Sequence, residues 1–347
     1  SISPEHPPPA DAGSPLKGAG KAADPPPHTQ VCLPDSSPAT HHASPMLPLP
    51  DAVAADLPAL LDRALAEDVG TGDVTTNATI PEDTQATARF LLKEDGVVAG
   101  LAVADRVFAA VDPALAVSWT AADGDRLAAG TVFGTVEGRA RSILVAERLA
   151  LNLMQRMGGV ATAAARMAGA AAPAVVLDTR KTAPGMRALD KWAVALGGAQ
   201  NHRVGLYDMV LVKDNHIAAA GGVREAIEAV GRYTEAHRLD VPVEVEARTL
   251  DEVDAVLAAV ADGARVDRIL LDNMAVRTEA GLDVSMLEAA VARVAGATQT
   301  EASGNVTLDT VGAIGATGVD YISSGALTHS VRALDVSLKI GLEAAGG

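Results

Sequence analysis

The 347-residue chain has a single cysteine, Cys32, and very few aromatic side chains: three Phe, three Tyr and two Trp. One thiol excludes an intrachain disulfide and a cysteine metal cage, and it suits a reducing compartment, so a cytoplasmic protein is expected. Hydrophobic residues make up 48% of the chain but aromatic ones only 2%, so the core has to be assembled from Ala, Val, Leu and Ile. A chain of this length can bury a core of that kind. Basic charge is also scarce, with 28 Lys and Arg against 44 Asp and Glu, a net charge of −16. This excludes nucleic acid as a partner, because its phosphates require a basic surface. No apolar run approaches the roughly 18 residues of a membrane helix, which excludes a membrane as a partner. No basic segment followed by an apolar one opens the chain, so no secretory signal is expected.

Residues 1–45 differ in composition from the remainder of the chain. They hold Pro7-Pro8-Pro9 and Pro25-Pro26-Pro27 and four of the eight histidines, without helical or strand periodicity. Such a composition cannot bury enough apolar area to offset its ordering entropy, and a disordered Pro-rich extension is expected, with Met46 read as a natural start. His41 and His42 are read as solvated tail histidines. After Met46 a pattern sets in. Asp56 is read as an N-cap with Pro58 in the first turn, ahead of an apolar stripe of Leu57, Leu60, Leu61, Ala64 and Leu65 that Gly70 ends. Thr87–Lys93, Ala116–Thr120 and Thr131–Glu137 read as strands, Leu101–Ala110 as a helix and Arg141–Met157 as a long helix. Residues 46–155 are therefore expected to form a small α+β domain.

The second half repeats a simpler unit. Six apolar runs end in charged or small polar residues: VVLDTRK (175–181), MVLVKDN (209–215), VPVEVEA (241–247), RILLDN (268–273), TQTEASG (298–304) and DYISSG (320–325). Taking Lys181, Lys213, Glu246, Asp272, Glu301 and Ser324 as markers, the spacings are 32, 33, 26, 29 and 23 residues. That is the size of a βα unit, and repeated units imply a parallel sheet with right-handed crossovers. A barrel gathers the C-terminal ends of its strands at one mouth, which is where every one of these polar residues falls. No GxGxxG follows the first strand, as a dinucleotide-binding sheet would show. An α/β barrel is expected, smaller than the eight-stranded type.

The charges divide by sign along the chain. Arg180, Lys181, His202, Arg203 and Lys213 come first; Glu244, Glu246, Asp272 and Glu301 come after them. Arg forks grip carboxylates through two parallel bonds, so the basic set fits a small substrate with more than one carboxylate. Alternation along VPVEVEA puts Glu244 and Glu246 on one face, and the acidic set fits Mg2+, sugar hydroxyls or both. Ser303-Gly304-Asn305 and Ser323-Ser324-Gly325 each precede a helix start, where free N–H groups make anion sites. The residues alone thus describe a pocket for a polycarboxylate, a sugar phosphate and a divalent cation. Glycosyl transfer, phosphoryl transfer and a sugar-phosphate lyase all remain open at this point.

The chain resembles the quinolinate phosphoribosyltransferases, also called nicotinate-nucleotide pyrophosphorylases (carboxylating). The resemblance is carried by EDVGTGDVTT (67–76), AERLALNLMQRMGGVAT (146–162), DTRKTAPGMRALDKWAV (178–194), NHRVGLYDMVLVKDNH (201–216), EVEA (244–247), LLDNM (270–274), EASGNV (301–306) and GVDYISSGALTHS (318–330). Two segments depart from the family's pattern by small-for-small exchanges, Gly197-Gly198-Ala199-Gln200 and MGGVAT. The resemblance implies an N-terminal α/β sandwich domain (46–155) and an open α/β barrel of six or seven parallel strands (156–330), the type II phosphoribosyltransferase fold. Residues 331–347 are expected to form a C-terminal helix packing back on the N-terminal domain. It also implies a homodimer in which Arg148 crosses the interface. By the same likeness Arg180, His202, Arg203 and Lys213 hold quinolinate. Lys181, Glu246 and Asp272 serve phosphoribosyl pyrophosphate catalytically, with Glu246 and Asp272 on Mg2+, and Ser303, Gly304, Ser324 and Gly325 cradle the ribose phosphate. His216, His329 and Trp192 are read as structural. The implied reaction is phosphoribosyl transfer to quinolinate with loss of CO2. The alternatives are a non-decarboxylating transferase on another base and a non-catalytic pyridine-carboxylate binder.

Overall fold

A computed structural model describes residues 49–342; the Pro-rich stretch 1–45 and Met46 lie outside the described residues. The first helix, α1 (Asp51–Val69), begins five residues before the expected cap. Its buried stripe is Val53, Leu57 and Leu61, so the apolar repeat starts upstream of Asp56 and carries the helix through Pro58. Pro58 withholds one N–H from the ladder, and Asp56 is simply exposed. Gly70, with φ 51°, ends the helix as expected.

Next come α2 (Val74–Thr79), β1 (Gln85–Leu92), β2 (Gly96–Val97), α3 (Leu101–Val111), β3 (Ala116–Trp119), β4 (Arg126–Leu127) and β5 (Val132–Arg139). Strands β1, β5 and β3 pair antiparallel, and β1 alternates buried and more exposed residues as one covered face requires. Helix α4 (Ala140–Ala171) is 32 residues long and lines both this sheet and the parallel sheet beyond it. It does not stop at Met157, so the expected domain boundary at 155/156 falls inside one continuous helix. Gly158-Gly159, just past the expected end, lie within the helix and allow close approach. A Cβ on Gly159 would collide with the carbonyl of Arg332.

The rest alternates strand and helix: β6 (Val175–Leu177), α5 (Arg187–Leu196), β7 (Val210–Val212), α6 (Asp214–Ala220), α7 (Val223–His237), β8 (Val243–Ala247), α8 (Leu250–Ala261) and β9 (Arg268–Asp272). A small hairpin, β10 (Val276–Thr278) and β11 (Gly281–Asp283), leads to α9 (Ser285–Val294), β12 (Gln299–Ser303), α10 (Leu308–Gly315), β13 (Tyr321–Ser323) and α11 (Ala326–His329). The six repeating runs are the six strands of one parallel sheet, ordered β6-β13-β12-β9-β8-β7. Each strand from β7 onward lies beside its chain neighbour, and the last unit closes onto the first. That is the order of a barrel, left open at the seam between the first and second units. Beside the seam, Gln200 makes a single parallel bridge to Leu177, a trace of a seventh strand.

The chain ends on β14 (Val336–Leu342), which pairs antiparallel with β1. The C-terminal segment does return to the N-terminal sheet, but as a strand rather than the expected helix. The reason is its period: Val336 and Leu338 are buried and the intervening Ser337 and Lys339 are more exposed, an alternation of two.

Candidate active site

Strand β8 puts Glu244 and Glu246 in the lumen, both buried, as their alternation requires. Glu301 on β12 is buried too, and one ligand atom from each of His202, Glu244 and Glu301 lies within 4.8 Å of the others. Arg268, at the start of β9, donates from Nη1 to Glu301 Oε2 at 2.6 Å and stacks its guanidinium 3.9 Å from the Tyr321 ring centroid. Burial pushes both Glu244 and Glu301 up to about 7; the neighbouring Glu244 raises Glu301 further, and Arg268 opposes the rise at both. Two carboxyls this close and this dry do not both hold a full charge.

His202 sits above them with both ring nitrogens engaged. Nδ1 accepts the Arg203 N–H at 2.8 Å, and Nε2 lies 2.8 Å from Glu244 Oε2. A nitrogen that accepts an N–H carries no proton, so the ring's proton is on Nε2, and burial, which lowers the His202 pKa, favours this neutral form. The trio has metal-ligand spacing, but a metal would need Nε2 bare and Glu301 free of Arg268. The site therefore reads as a hydrogen-bonded network rather than a cation cage.

A second buried pair holds the loop that carries His202. Lys191, from α5, bonds Asp178 Oδ1 at 2.6 Å and the His202 carbonyl at 3.0 Å, while the His202 N–H donates to Asp178 at 2.8 Å. A third pair, Arg156–Asp190, is bidentate at 2.8 and 2.7 Å and ties α4 to α5; the same groups bond Ala183 and Thr328. It thus joins the DTRKT loop to the Ser-Gly-Ala-Leu-Thr-His turn.

Over this frame stand the expected cations. Burial lowers the Arg203 pKa, and the Arg180 charge lowers it further. Both Arg203 and the exposed Lys213 lie near enough to favour the ionised form of Glu244. Among the described residues, Arg180 Nε is buried without a hydrogen-bond partner. Among the described residues none of these three cations is in a direct ion pair, although Glu244 and Asp208 lie close enough to act on Arg203, and the set, a basic nest, can receive an acidic ligand.

On the rim, burial raises the Glu246 pKa and the charges of Asp272 and Asp214 raise it further. Asp272 accepts from Ser303 Oγ at 2.5 Å and from Asn273 Nδ2 at 2.6 Å. Mutually repelling carboxylates offer the oxygen ligands that Mg2+ takes, with Arg248 Nε 3.9 Å from Asp272 Oδ2 as a neighbouring cation, and in that respect the residues present suit the expected ion. Lys181 is exposed and packs so closely on Gly325 that a Cβ there would lie 2.8 Å from its Cδ. Gly304 has φ +99°, and a side chain would strike Asn273.

Two expected residues stand apart. Ser324 is buried: its hydroxyl donates to the Val306 carbonyl at 3.0 Å and its N–H to Leu177, so it braces the turn from behind. Arg148 lies exposed on α4 and takes part in none of these contacts. The sequence reading missed Arg268, Lys191, Asp190 and Arg156. Arg268 was accessible to the alternation used for Glu244 and Glu246, since it shares a face with Leu270 and Asp272. Lys191 and Asp190 lie in a helix whose burial only the fold reveals.

Comparison with known proteins agrees with this geometry. Residues 73–158 match the family model "Quinolinate phosphoribosyl transferase, N-terminal domain" and residues 160–339 the corresponding C-terminal domain. The chain is 57% identical over 293 residues to quinolinate phosphoribosyltransferase (decarboxylating) 1b of Nicotiana tabacum, covering 84% of each chain. It is equally similar to the chloroplastic nicotinate-nucleotide pyrophosphorylase (carboxylating) of Arabidopsis thaliana, with 57% identity and 84% of each chain covered. Among solved structures, NadC from Streptococcus pyogenes aligns with a TM-score of 0.76 at 36% identity, over 85% of this chain and 100% of that one.

Proposed function

Because the chain belongs to the quinolinate phosphoribosyltransferase family, we propose that it transfers phosphoribosyl from phosphoribosyl pyrophosphate to quinolinate with loss of CO2, giving nicotinate mononucleotide and pyrophosphate. The observation that carries this reading is the basic set of Arg180, Arg203 and Lys213 beside the buried carboxyl of Glu244, with Arg180 Nε buried and without a hydrogen-bond partner among the described residues. A diacid answers the nest, whereas a neutral base brings it no counter-charge.

In this reading the nest holds the two carboxylates so that the ring nitrogen faces the anomeric carbon. Displacement of pyrophosphate passes through an oxocarbenium-like state. Lys181 neutralises charge growing on the leaving group, and Glu246 and Asp272 orient ribose hydroxyls and hold Mg2+, which when bound supplies further neutralisation. The ring nitrogen, now cationic, stabilises the electron pair left on the adjacent carbon as its carboxylate departs as CO2, and a proton from water then takes the place of the lost carboxylate to give nicotinate mononucleotide. Placement and fixed charge supply the acceleration, with no protein nucleophile. Ser303, Gly304 and Gly325 receive the ribose phosphate, with Ser324 shaping the turn. Arg148, exposed on α4, is assigned to the nest of a partner subunit in a homodimer. No helix among the described residues is long and apolar enough to cross a membrane. The single cysteine and the charge of −16 support a reducing, aqueous compartment such as the cytoplasm and a partner set without nucleic acid.

The test is turnover by purified protein with phosphoribosyl pyrophosphate, Mg2+ and either quinolinate or nicotinate. The expected result is one CO2 per nicotinate mononucleotide from quinolinate and negligible product from nicotinate. Consumption of quinolinate without matching CO2 overturns the decarboxylating step.

A further inference from the structure

The loop that carries His202 and Arg203 runs from Gln200, at one lip of the open seam, to β7, at the other. It is the segment that crosses the opening, and the hydrogen-bonded strands do not hold it there. It nevertheless carries Arg203, half of the nest's guanidinium pair. Something has to fix the position of that arginine.

The structure offers a chain of contacts that does so. Tyr321 on β13 supports Arg268 on β9, Arg268 bonds Glu301 on β12, and a carboxylate oxygen of Glu301 lies within 4.8 Å of one of Glu244 on β8. Glu244 in turn meets His202 Nε2 at 2.8 Å, and His202 Nδ1 accepts the Arg203 N–H at 2.8 Å. Four strands of the closed half are thereby linked to the loop that bridges the gap. The imidazole ends this chain with both nitrogens occupied, and its side chain is only 7% exposed. It therefore has no N–H left for a substrate carboxylate.

We propose that His202 is a positioning residue rather than a quinolinate ligand, and that Glu244, Glu301 and Arg268 act through it to fix the backbone of Arg203 across the open seam. This deepens the reading above and rests on it for the substrate's identity. A buried group that locates a binding residue through hydrogen bonds affects the ligand that residue holds and leaves other ligands alone. Glu244 is well placed for such a role. Its Oε2 meets the imidazole, while its Oε1 is buried without a partner among the described residues.

Three measurements test this. First, 15N spectra of the histidine rings in the unliganded wild type, assigned with His202→Gln, are expected to show His202 with a bare Nδ1 and a protonated Nε2. A protonated Nδ1 overturns the proposal. Second, Glu244→Leu leaves Nε2–H without an acceptor and is expected to raise KM for quinolinate about 10- to 100-fold, the size of one charge-assisted hydrogen bond, with KM for phosphoribosyl pyrophosphate little changed. An unchanged quinolinate KM, or equal losses for both substrates in folded protein, overturns it. Third, Glu244→Gln still offers a carbonyl to Nε2–H and is expected to restore most of the quinolinate affinity; a Gln variant as impaired as the Leu variant overturns it. If Glu244→Leu does not fold, the ring spectrum and the Gln variant still decide. A wild type that does not turn over quinolinate sinks the activity reading instead, and the ring spectrum, taken without substrate, is untouched by that result.

Discussion

The two sheets of this molecule share an aliphatic core and differ in what is added to it. All three phenylalanines of the chain, Phe90, Phe108 and Phe133, are buried at the antiparallel sheet, and Trp119 packs 4.7 Å from Phe90, centroid to centroid. The parallel barrel has no phenylalanine and buries Asp178, Lys191, Glu244 and Glu301 instead. An aromatic core is held by area and shape, and it tolerates small shifts. A core of charges is held by direction: each group is costly unless its partner is in place. The first material makes a stable support. The second fixes side chains to a fraction of an ångström, which is what a reaction dependent on placement requires.

The contrast can be broken from either side. Phe90→Ala removes a fully buried ring and should cost about 3–5 kcal/mol in urea denaturation, with the quinolinate KM of the folded protein unchanged. Lys191→Met should cost a similar amount, about 3–5 kcal/mol, because it strands the buried Asp178 carboxylate. Here quinolinate KM should rise as well, and adding Asp178→Asn should recover part of the stability but not the affinity. If Lys191→Met altered stability alone, the two cores would not differ in kind. Arg180→Ala should leave the denaturation midpoint in place and weaken quinolinate binding by about 2–5 kcal/mol, read by calorimetry.

A smaller effect separates the cores by pH. Glu301, ordinarily near 4.5, is pushed up to about 7, so the folded chain binds its proton more tightly than the unfolded chain does. The stability linked to that proton is complete below about 4.5 and is lost as pH rises toward 7. Unfolding free energies at pH 5 and pH 7 should therefore differ less in Glu301→Gln than in the wild type. At the bottom of the scale, the exposed Asp240–Arg265 pair at 2.7 Å should contribute under about 1 kcal/mol, so Asp240→Asn should leave both stability and kinetics nearly unchanged.

The parallel half is the more legible in sequence. Each of its strands ends on a charge or a Ser-Gly turn, and six such endings at βα spacing leave few alternatives. The same regularity puts Arg180, Lys213, Glu246 and Asp272 at strand ends, while Arg203 lies between two runs and is singled out by its charge and by the family motif. What escapes depends on partners far away in the chain. The long helix is expected to stop at Met157 unless residues 332–334 are known to lie against Gly158-Gly159. Pro58 reads as a first turn unless Val53 is known to be buried. The final segment has the alternation of a strand yet is expected as a helix, because its partner β1 lies some 250 residues earlier in the chain. Arg268 and Lys191 look like ordinary surface charges until the fold places Glu301 and Asp178 beside them.

Helix α4 carries a consequence for how the protein is engineered. A single rod serves two bodies: Leu151, Leu153 and Met154 are buried on it, and so are Val160, Ala161 and Ala164 one to three turns later. Severing the gene at the seam between the two family domains would leave each fragment with a stump of that rod and an oily stripe open to water.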